Sequence, residues 1–465
     1  MKQTLIASVA ASASLLVSFA GCGGSGTKDI SPGGTGGGGG PAVTRDPHGC
    51  PDLFAQDRLP TYDVELSAEE WAKLQDEFHN RAAREAAGLD INPYHSIIFR
   101  YGEEQIDNAL IRLKGKSSWR QAIALDNPAK MQFVIAFNEV DPKGRFHGVR
   151  KIELDMPRND ETFLRQRLSL AYLREVGVPA QCVNNGRLNI NGAYYGVYTN
   201  MERLDKEFLQ RVFPEASDGD LWEAGRRLRT NETTADRTRR NLLYKVTDAT
   251  AMAQLVDMEQ ALAEWAAEAV MPDGDGYYGG THNYFLYDHP LRGFLWLPHD
   301  KDAGIGYRRF DINPIFWWDP DEDVGLHYRL AVVADPMWRA RYVAAIERAL
   351  AGYDIARLQG QIDAWSAQIA DAVREDPNKR TTIERHQEKV AEQRAFVAKR
   401  AEFVRNWLGC MTGKGKDGDG DGAKWCEDCN DADSQLGPAA AEICDNMLDE
   451  NCSGHHDEGC PLAAP

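Results

Sequence analysis

The stretch at residues 271–306, MPDGDGYYGGTHNYFLYDHPLRGFLWLPHDKDAGIG, restricts the fold more than any other part of the chain. Two aromatic-rich apolar runs, NYFLY and FLWLP, flank the turn DHPLRG, the pattern of a β-hairpin. A hairpin brings its two ends together. Here the ends carry chemistry: Asp273, Asp275 and Asn283 precede the first strand, and Asp300 and Asp302 follow the second. An Asp placed to take a proton, beside an Asn and an Asp placed to hold Mg²⁺, is a set of parts that phosphoryl transfer uses. The rival reading of the same letters is two unrelated surface loops rich in Asp and Gly.

At 465 residues the chain has room for two or three domains. Acids outnumber bases 71 to 53, for a net charge of −18. That balance argues against a nucleic-acid partner, which needs a basic face, and suits divalent cations or a plain acidic surface. The N-terminus reads as an export signal at residues 1–21: Lys2, an apolar run at 5–19, then Ala20-Gly21-Cys22. A Cys directly after such a run resembles a bacterial lipobox, so Cys22 is expected to carry a lipid anchor; ordinary signal cleavage nearby is the alternative. Residues 22–49 form a Gly-rich tether with no core-forming content. The expected location is the bacterial cell envelope, on the outer membrane or cell surface, or the medium. Nine cysteines leave an even eight once Cys22 is set aside, which in an exported chain suggests disulfides whose pairing spacing does not give.

Between residues 50 and 409 strands mix with helices, followed by a helical run, which predicts an α+β domain with a mainly antiparallel sheet. Ser67 with Glu70 is a capping box opening a helix to about Ala87. SIIFRYG and NALIRLKG read as a strand pair, and MQFVIAF as a strand half-buried on one face, with Lys130 at its head. Asp160 caps a helix that Gly177 ends. Asn191-Gly192 marks a hairpin whose second strand runs into Glu202. A long helix is predicted from Thr247 to about Ala267.

Four segments, in order, resemble the CotH (spore-coat protein H) kinase family: LKGKSSWR…AKMQFVIAFN, FLRQRLSLAYLREVGVPA…LNINGAYYGVYTNME, DGYYGGTHNYFLY and FLWLPHDKDAGIG. The resemblance implies an atypical protein-kinase-like fold acting on secreted proteins. It makes Asp275 the catalytic Asp, with Asp273 as the alternative, and makes Asn283, Asp300 and Asp302 the ligands of Mg²⁺ or Mn²⁺. It places Lys130 on the ATP phosphates and Glu202 near the adenine. Three departures stand out: a longer loop before Asn283, His299 where Trp is usual, and Lys116 where Asn is usual.

Residues 410–465 resemble a MopE-type metal-binding motif. Asp417, Asp419 and Asp421 alternate with Gly, and Asp431 follows the CxxC at Cys426. Hard oxygen ligands in that number suit Ca²⁺. Asp428 stands where an EF-hand needs its bidentate Glu, so this is a different loop. The expectation is a lipid-tethered kinase that phosphorylates Ser or Thr of an exported protein, with a disulfide-stapled Ca²⁺ module. The rivals are a non-catalytic adhesion or coat-assembly scaffold on the same fold, and the same nucleotide site serving a different acceptor.

Overall fold

The computed structural model describes residues 49–115, 130–316 and 324–460. The Cys22 anchor, the export signal, most of the tether and Lys116 lie outside these. All described residues belong to one compact unit, and no helix among them is long and apolar enough to cross a membrane.

The first half is a closed barrel. Its strands are β1 (Thr61–Glu65), β2 (His95–Tyr101), β3 (Glu104–Leu113), β4 (Phe133–Ala136), β5 (Lys151–Asp155), β6 (Val183–Ile190) and β7 (Ala193–Glu202). The order around the barrel is β1-β2-β3-β4-β5-β7-β6. β1 joins β6 in parallel and the other pairings are antiparallel. Closure leaves no free edge and lets alternate residues fill the interior: Phe99, Ile111, Phe133, Leu154 and Tyr198 are fully buried there. Helix α1 (Ala68–His79) adds Leu74 and Phe78 to that core, and its Ser67 hydroxyl accepts from the Glu70 N–H at 3.1 Å, as the capping box predicts. The helix breaks at Asn80, and a separate short helix covers Arg81–Ala86. Asn191-Gly192 closes the β6–β7 hairpin as expected, with Ile190 opposite Ala193. Strand β4 differs from its half-buried expectation. All four of its residues are buried: Phe133 and Ile135 belong to the barrel core, and Val134 lines a cleft.

Asp160 is not the cap residue the sequence suggests: Leu164 holds the N-cap position, without a side-chain cap. Helix α2 (Arg165–Glu175) starts later, and the Asp160 carboxylate accepts from the Thr162 N–H at 2.9 Å and the Arg165 N–H at 2.7 Å.

In the second half, β8 (Asp220–Glu223), β9 (Arg227–Leu228), β10 (Tyr284–His289) and β11 (Gly293–Pro298) form an antiparallel sheet in the order β11-β10-β8-β9. Helix α3 (Lys206–Val212) leads in from the barrel. The predicted long helix from Thr247 is two pieces, Ala249–Met252 and α4 (Met258–Val270). The break has a reason. The Leu255 carbonyl accepts from the Phe294 N–H, and the Asp257 N–H donates to the Phe294 carbonyl, so the chain leaves helix to extend the sheet beside β11. Asp257 then caps α4. Helices α5 (Pro336–Ala351), α6 (Ile355–Glu375) and α7 (Ile383–Gly409) follow as predicted. Trp265 of α4 and Trp296 of β11 meet edge to face at 5.2 Å, both fully buried. Each contributes roughly 2–3 kcal/mol by burial.

Eight cysteines form four disulfides: Cys50–Cys182, Cys410–Cys426, Cys429–Cys452 and Cys444–Cys460. Cys426 and Cys429 of the CxxC each bond elsewhere and not to each other.

Candidate functional site

The hairpin places the acids. β10 and β11 pair in register from Tyr284↔Pro298 to His289↔Gly293, and the His299 N–H donates to the Asn283 carbonyl at 2.9 Å. This brings Asn283 beside Asp300: its side-chain amide donates to Asp275 Oδ2 at 2.9 Å and to the Asp300 carbonyl at 3.3 Å. Both Asn283 (φ 46°) and Asp300 (φ 50°) hold left-handed backbone, a conformation Asn and Asp tolerate better than most residues. Asp275, Asp300 and Asp302 line one cleft of about 880 Å³ between the barrel and the second sheet.

The acids there carry excess charge. Burial pushes the Asp300 carboxyl well above the usual range, and Asp302, Asp155 and Asp275 push it further. Asp302 rises to about 7 through burial, with Asp160, Asp273 and Asp275 adding to the shift against Arg165. Asp275 rises through burial and Asp273. A set of carboxylates that disfavour one another's ionisation is a site that a divalent cation relieves.

Asp273, the alternative to Asp275, faces the other way. Its carboxylate pairs with Lys301 at 2.9 Å, Lys301 also pairs with Glu268, and all three are fully buried. Residues 300–302 therefore alternate, with Asp300 and Asp302 toward the cleft and Lys301 into the core.

The barrel supplies the opposite wall. Along β5, Ile152 and Leu154 fill the interior, so Glu153 and Asp155 face the cleft. Along β3, Ile111 and Leu113 point inward, so Arg112 and Lys114 face out. The Lys114 N–H donates to the Gln132 carbonyl, carrying the strand pairing one step further. The Lys114 amine pairs with Glu153 at 2.7 Å and Asp155 at 2.5 Å. Burial works against its charge, but Asp155 and Glu153 hold it above the ordinary lysine value. Arg203 reaches Glu153 at 2.5 Å from the end of β7. Arg158, Arg227 and Arg229 also line the cleft, with His299 between the walls. Burial lowers His299 to about 3, leaving a neutral ring.

Two expected site residues lie elsewhere. Lys130 precedes the regular part of β4 and turns toward β7 and α6. Its amine donates to the Val197 carbonyl at 2.6 Å and pairs with Asp376 at 2.5 Å, 2% exposed against 0%. It does not line the cleft, so its placing on nucleotide phosphates is corrected. Glu202 accepts from the Cys182 N–H at 3.0 Å and pairs with Arg211 at 2.6 Å. It anchors α3 to the barrel instead of facing the cleft, and the adenine assignment is corrected too. Of the residues missed in the sequence, Lys114, Glu153 and Asp155 had one available signal, the alternation in NALIRLK and KIELD that puts them on the faces opposite the core, whereas Arg203, just past β7, had none.

The C-terminal acids gather into groups with metal-ligand spacing, Asp417/Asp419/Asp421 and Glu442/Asp449/Glu458. Asp431 Oδ1 accepts from the Gly418 N–H at 2.8 Å, which ties the second segment to the first loop. Asp428 is 2% exposed, and its Oδ2 has no hydrogen-bond partner among the described residues. Burial, with Asp421, Asp419 and Asp431 around it, lifts Asp428 to about 6. A buried carboxylate oxygen without a donor, facing other carboxylates, fits a hard cation. Cys429 and Cys452 are near but bonded to each other, which removes them as thiolate ligands.

A family model for CotH kinase protein matches residues 111–404, more than half of the chain. A model for the MopE-type metal-binding motif matches residues 428–458. The chain is also 25% identical over 313 residues to the inner spore coat protein H of Bacillus subtilis (strain 168), covering 61% of this chain and 84% of that relative. The matched range contains Lys114, Glu153, Asp155, Asp275, Asn283, Asp300 and Asp302, and the chain belongs to the CotH kinase protein family.

Proposed function

We propose that the chain is an exported phosphotransferase moving the γ-phosphoryl group of ATP to a Ser or Thr hydroxyl of another exported protein. One observation supports the reading above all: a single cleft sets Lys114 and arginines from the barrel against Asp275, Asp300 and Asp302, with Asn283 hydrogen-bonded to Asp275. A polyphosphate needs the first wall, and the cations that travel with it need the second. Asn283, Asp300 and Asp302 would hold Mg²⁺ or Mn²⁺, which supplies neutralisation of phosphate charge. Lys114, steadied by Glu153 and Asp155, meets the phosphate oxygens. Asp275, oriented by the Asn283 amide, takes the proton of the acceptor hydroxyl. A lipid on Cys22 and the Gly-rich tether would hold this domain off a bacterial envelope membrane, and the acidic module takes Ca²⁺.

The test is label transfer from γ-labelled ATP with Mn²⁺, comparing wild type with Asp300→Asn. Transfer only in wild type supports the assignment; equal label in both removes it. The Bacillus relative, an inner spore coat protein, favours a second reading, a coat or surface scaffold without catalysis. No label in either protein, together with no thermal shift on adding ATP and metal, selects that reading.

A further inference from the structure

The acidic module is seated on the half of the molecule that carries the hairpin. The Trp407 indole N–H donates to the Cys426 carbonyl at 3.2 Å, the Val324 N–H donates to the Gly454 carbonyl at 3.2 Å, and Cys410, Cys426 and Cys452 share one apolar core with Trp265 and Trp296. One contact leads further. The Asn313 side-chain amide donates to the carbonyls of Cys426 at 3.5 Å and Asp428 at 3.4 Å. The Asn313 carbonyl accepts from the Tyr278 hydroxyl. The Tyr278 N–H donates to Glu268 Oε2 at 3.0 Å. Lys301 joins Glu268 to Asp273, and Asp273 Oδ1 accepts from the Asp275 N–H at 3.2 Å.

A continuous run of polar contacts thus joins the backbone of Asp428, whose side chain faces the module's acids, to the backbone of Asp275 in the cleft. Tyr278, Glu268, Lys301 and Asp273 are each at most 2% exposed. Buried polar groups of this kind have no water to fall back on, so a shift at one end is costly to absorb locally. We propose that Asn313 and Tyr278 are positioning residues coupling cation binding at the acidic module to the cleft, so that Ca²⁺ in the module orders the Asp275 loop and tightens Mn²⁺–nucleotide binding. The nucleotide half of this statement rests on the phosphotransferase reading; the ordering of the loop does not. Linkage makes the effect reciprocal, and nucleotide tightens Ca²⁺ by the same factor.

The experiment uses the exported chain with its disulfides intact. Amide exchange over residues 273–283 and calorimetric binding of Mn²⁺ with a non-hydrolysable ATP analogue are each measured with and without Ca²⁺. In wild type, Ca²⁺ slows exchange and tightens nucleotide by about five- to tenfold, the lower range of measured couplings. Tyr278→Phe, which removes only the hydroxyl bond, and Asn313→Ala keep wild-type Ca²⁺ affinity but lose both effects. Asp428→Asn weakens Ca²⁺ binding and the effects with it, excluding Ca²⁺ acting inside the cleft. Failure of wild type to bind Ca²⁺, no slowing over 273–283 once Ca²⁺ is bound, or equal slowing in wild type and both uncoupling variants overturns the proposal. Slowing without nucleotide binding leaves the coupling standing and sinks the phosphotransferase reading. Nucleotide binding untouched by Ca²⁺, with no slowing, does the reverse.

Discussion

The cleft and the C-terminal module are both built from carboxylates, yet they are assembled in opposite ways. The module's acids are neighbours in the chain and largely satisfied by it: Asp417 accepts from the Gly420 and Gly422 N–H groups, and Asp449 from those of Ser453 and Gly454. The cleft's acids come from separate segments: β10 folding back on β11 brings Asp275 and Asp300 together, and the barrel adds Glu153 and Asp155. Burial there raises Asp275, Asp300 and Asp302 together. A local cluster survives rearrangement of the fold around it, whereas a convergent cluster exists only while the tertiary structure does. The first is a reservoir of prepaired ligands and the second a stock of unbalanced charge.

The sharpest way to break the contrast is at its functional pole. Asp275→Asn should lower kcat for phosphoryl transfer on the order of 10³-fold, as loss of a positioned base does, with KM for ATP and the melting temperature nearly unchanged; steady-state kinetics and a thermal melt read both. Next in size is Lys130→Met. It strands the Asp376 carboxylate in the interior, and removing one partner of a buried pair costs about 3–5 kcal/mol. Denaturant unfolding should show that loss, while Lys114→Met, on the cleft wall, should in addition weaken nucleotide binding. Third, Cys429→Ser with Cys452→Ser opens a module loop. Stability should fall by about 3 kcal/mol, with Ca²⁺ affinity, read by calorimetry, lost before Mn²⁺ affinity at the cleft.

The smallest effect is a control outside both regions. His147 lies between Asp52 at 2.8 Å and Glu104 at 2.9 Å. Burial opposes its charge, but hydrogen bonds to those two acids raise it above the ordinary histidine value of 6.5. Its contribution is therefore complete below that value and is lost as pH rises through the raised one. Melts between pH 5.5 and 8 should show a difference from His147→Gln on the order of 0.5–1 kcal/mol that fades toward the alkaline end.

The convergent site was legible where a local pattern implied a long-range contact. The aromatic runs either side of DHPLRG announced the hairpin, and the hairpin by itself brings Asn283 to Asp300. The lysine was not legible in that way. Lys114 and Lys130 each stand at the end of a strand, and only the parity of β3 and the closure of the barrel decide that the first faces the cleft while the second goes to α6. The break after Met252 was equally hidden, because Leu255 and Val256 suit a helix until β11 offers its edge. In the module, Asp-Gly alternation gave the ligand-rich loop directly, but six cysteines within 51 residues allow many pairings, and spacing does not choose among them.

The left-handed backbone at Asn283 and Asp300 carries a consequence for how this family can drift. Both corners of the hairpin mouth admit comfortably only a short list of side chains, Gly, Asn and Asp. That list is shorter than the list of metal ligands, because Glu is a poorer fit to the turn. Loss of catalysis in a descendant should therefore leave Asn or Gly at these two corners long after the metal has gone, as a fossil of geometry that outlives the chemistry.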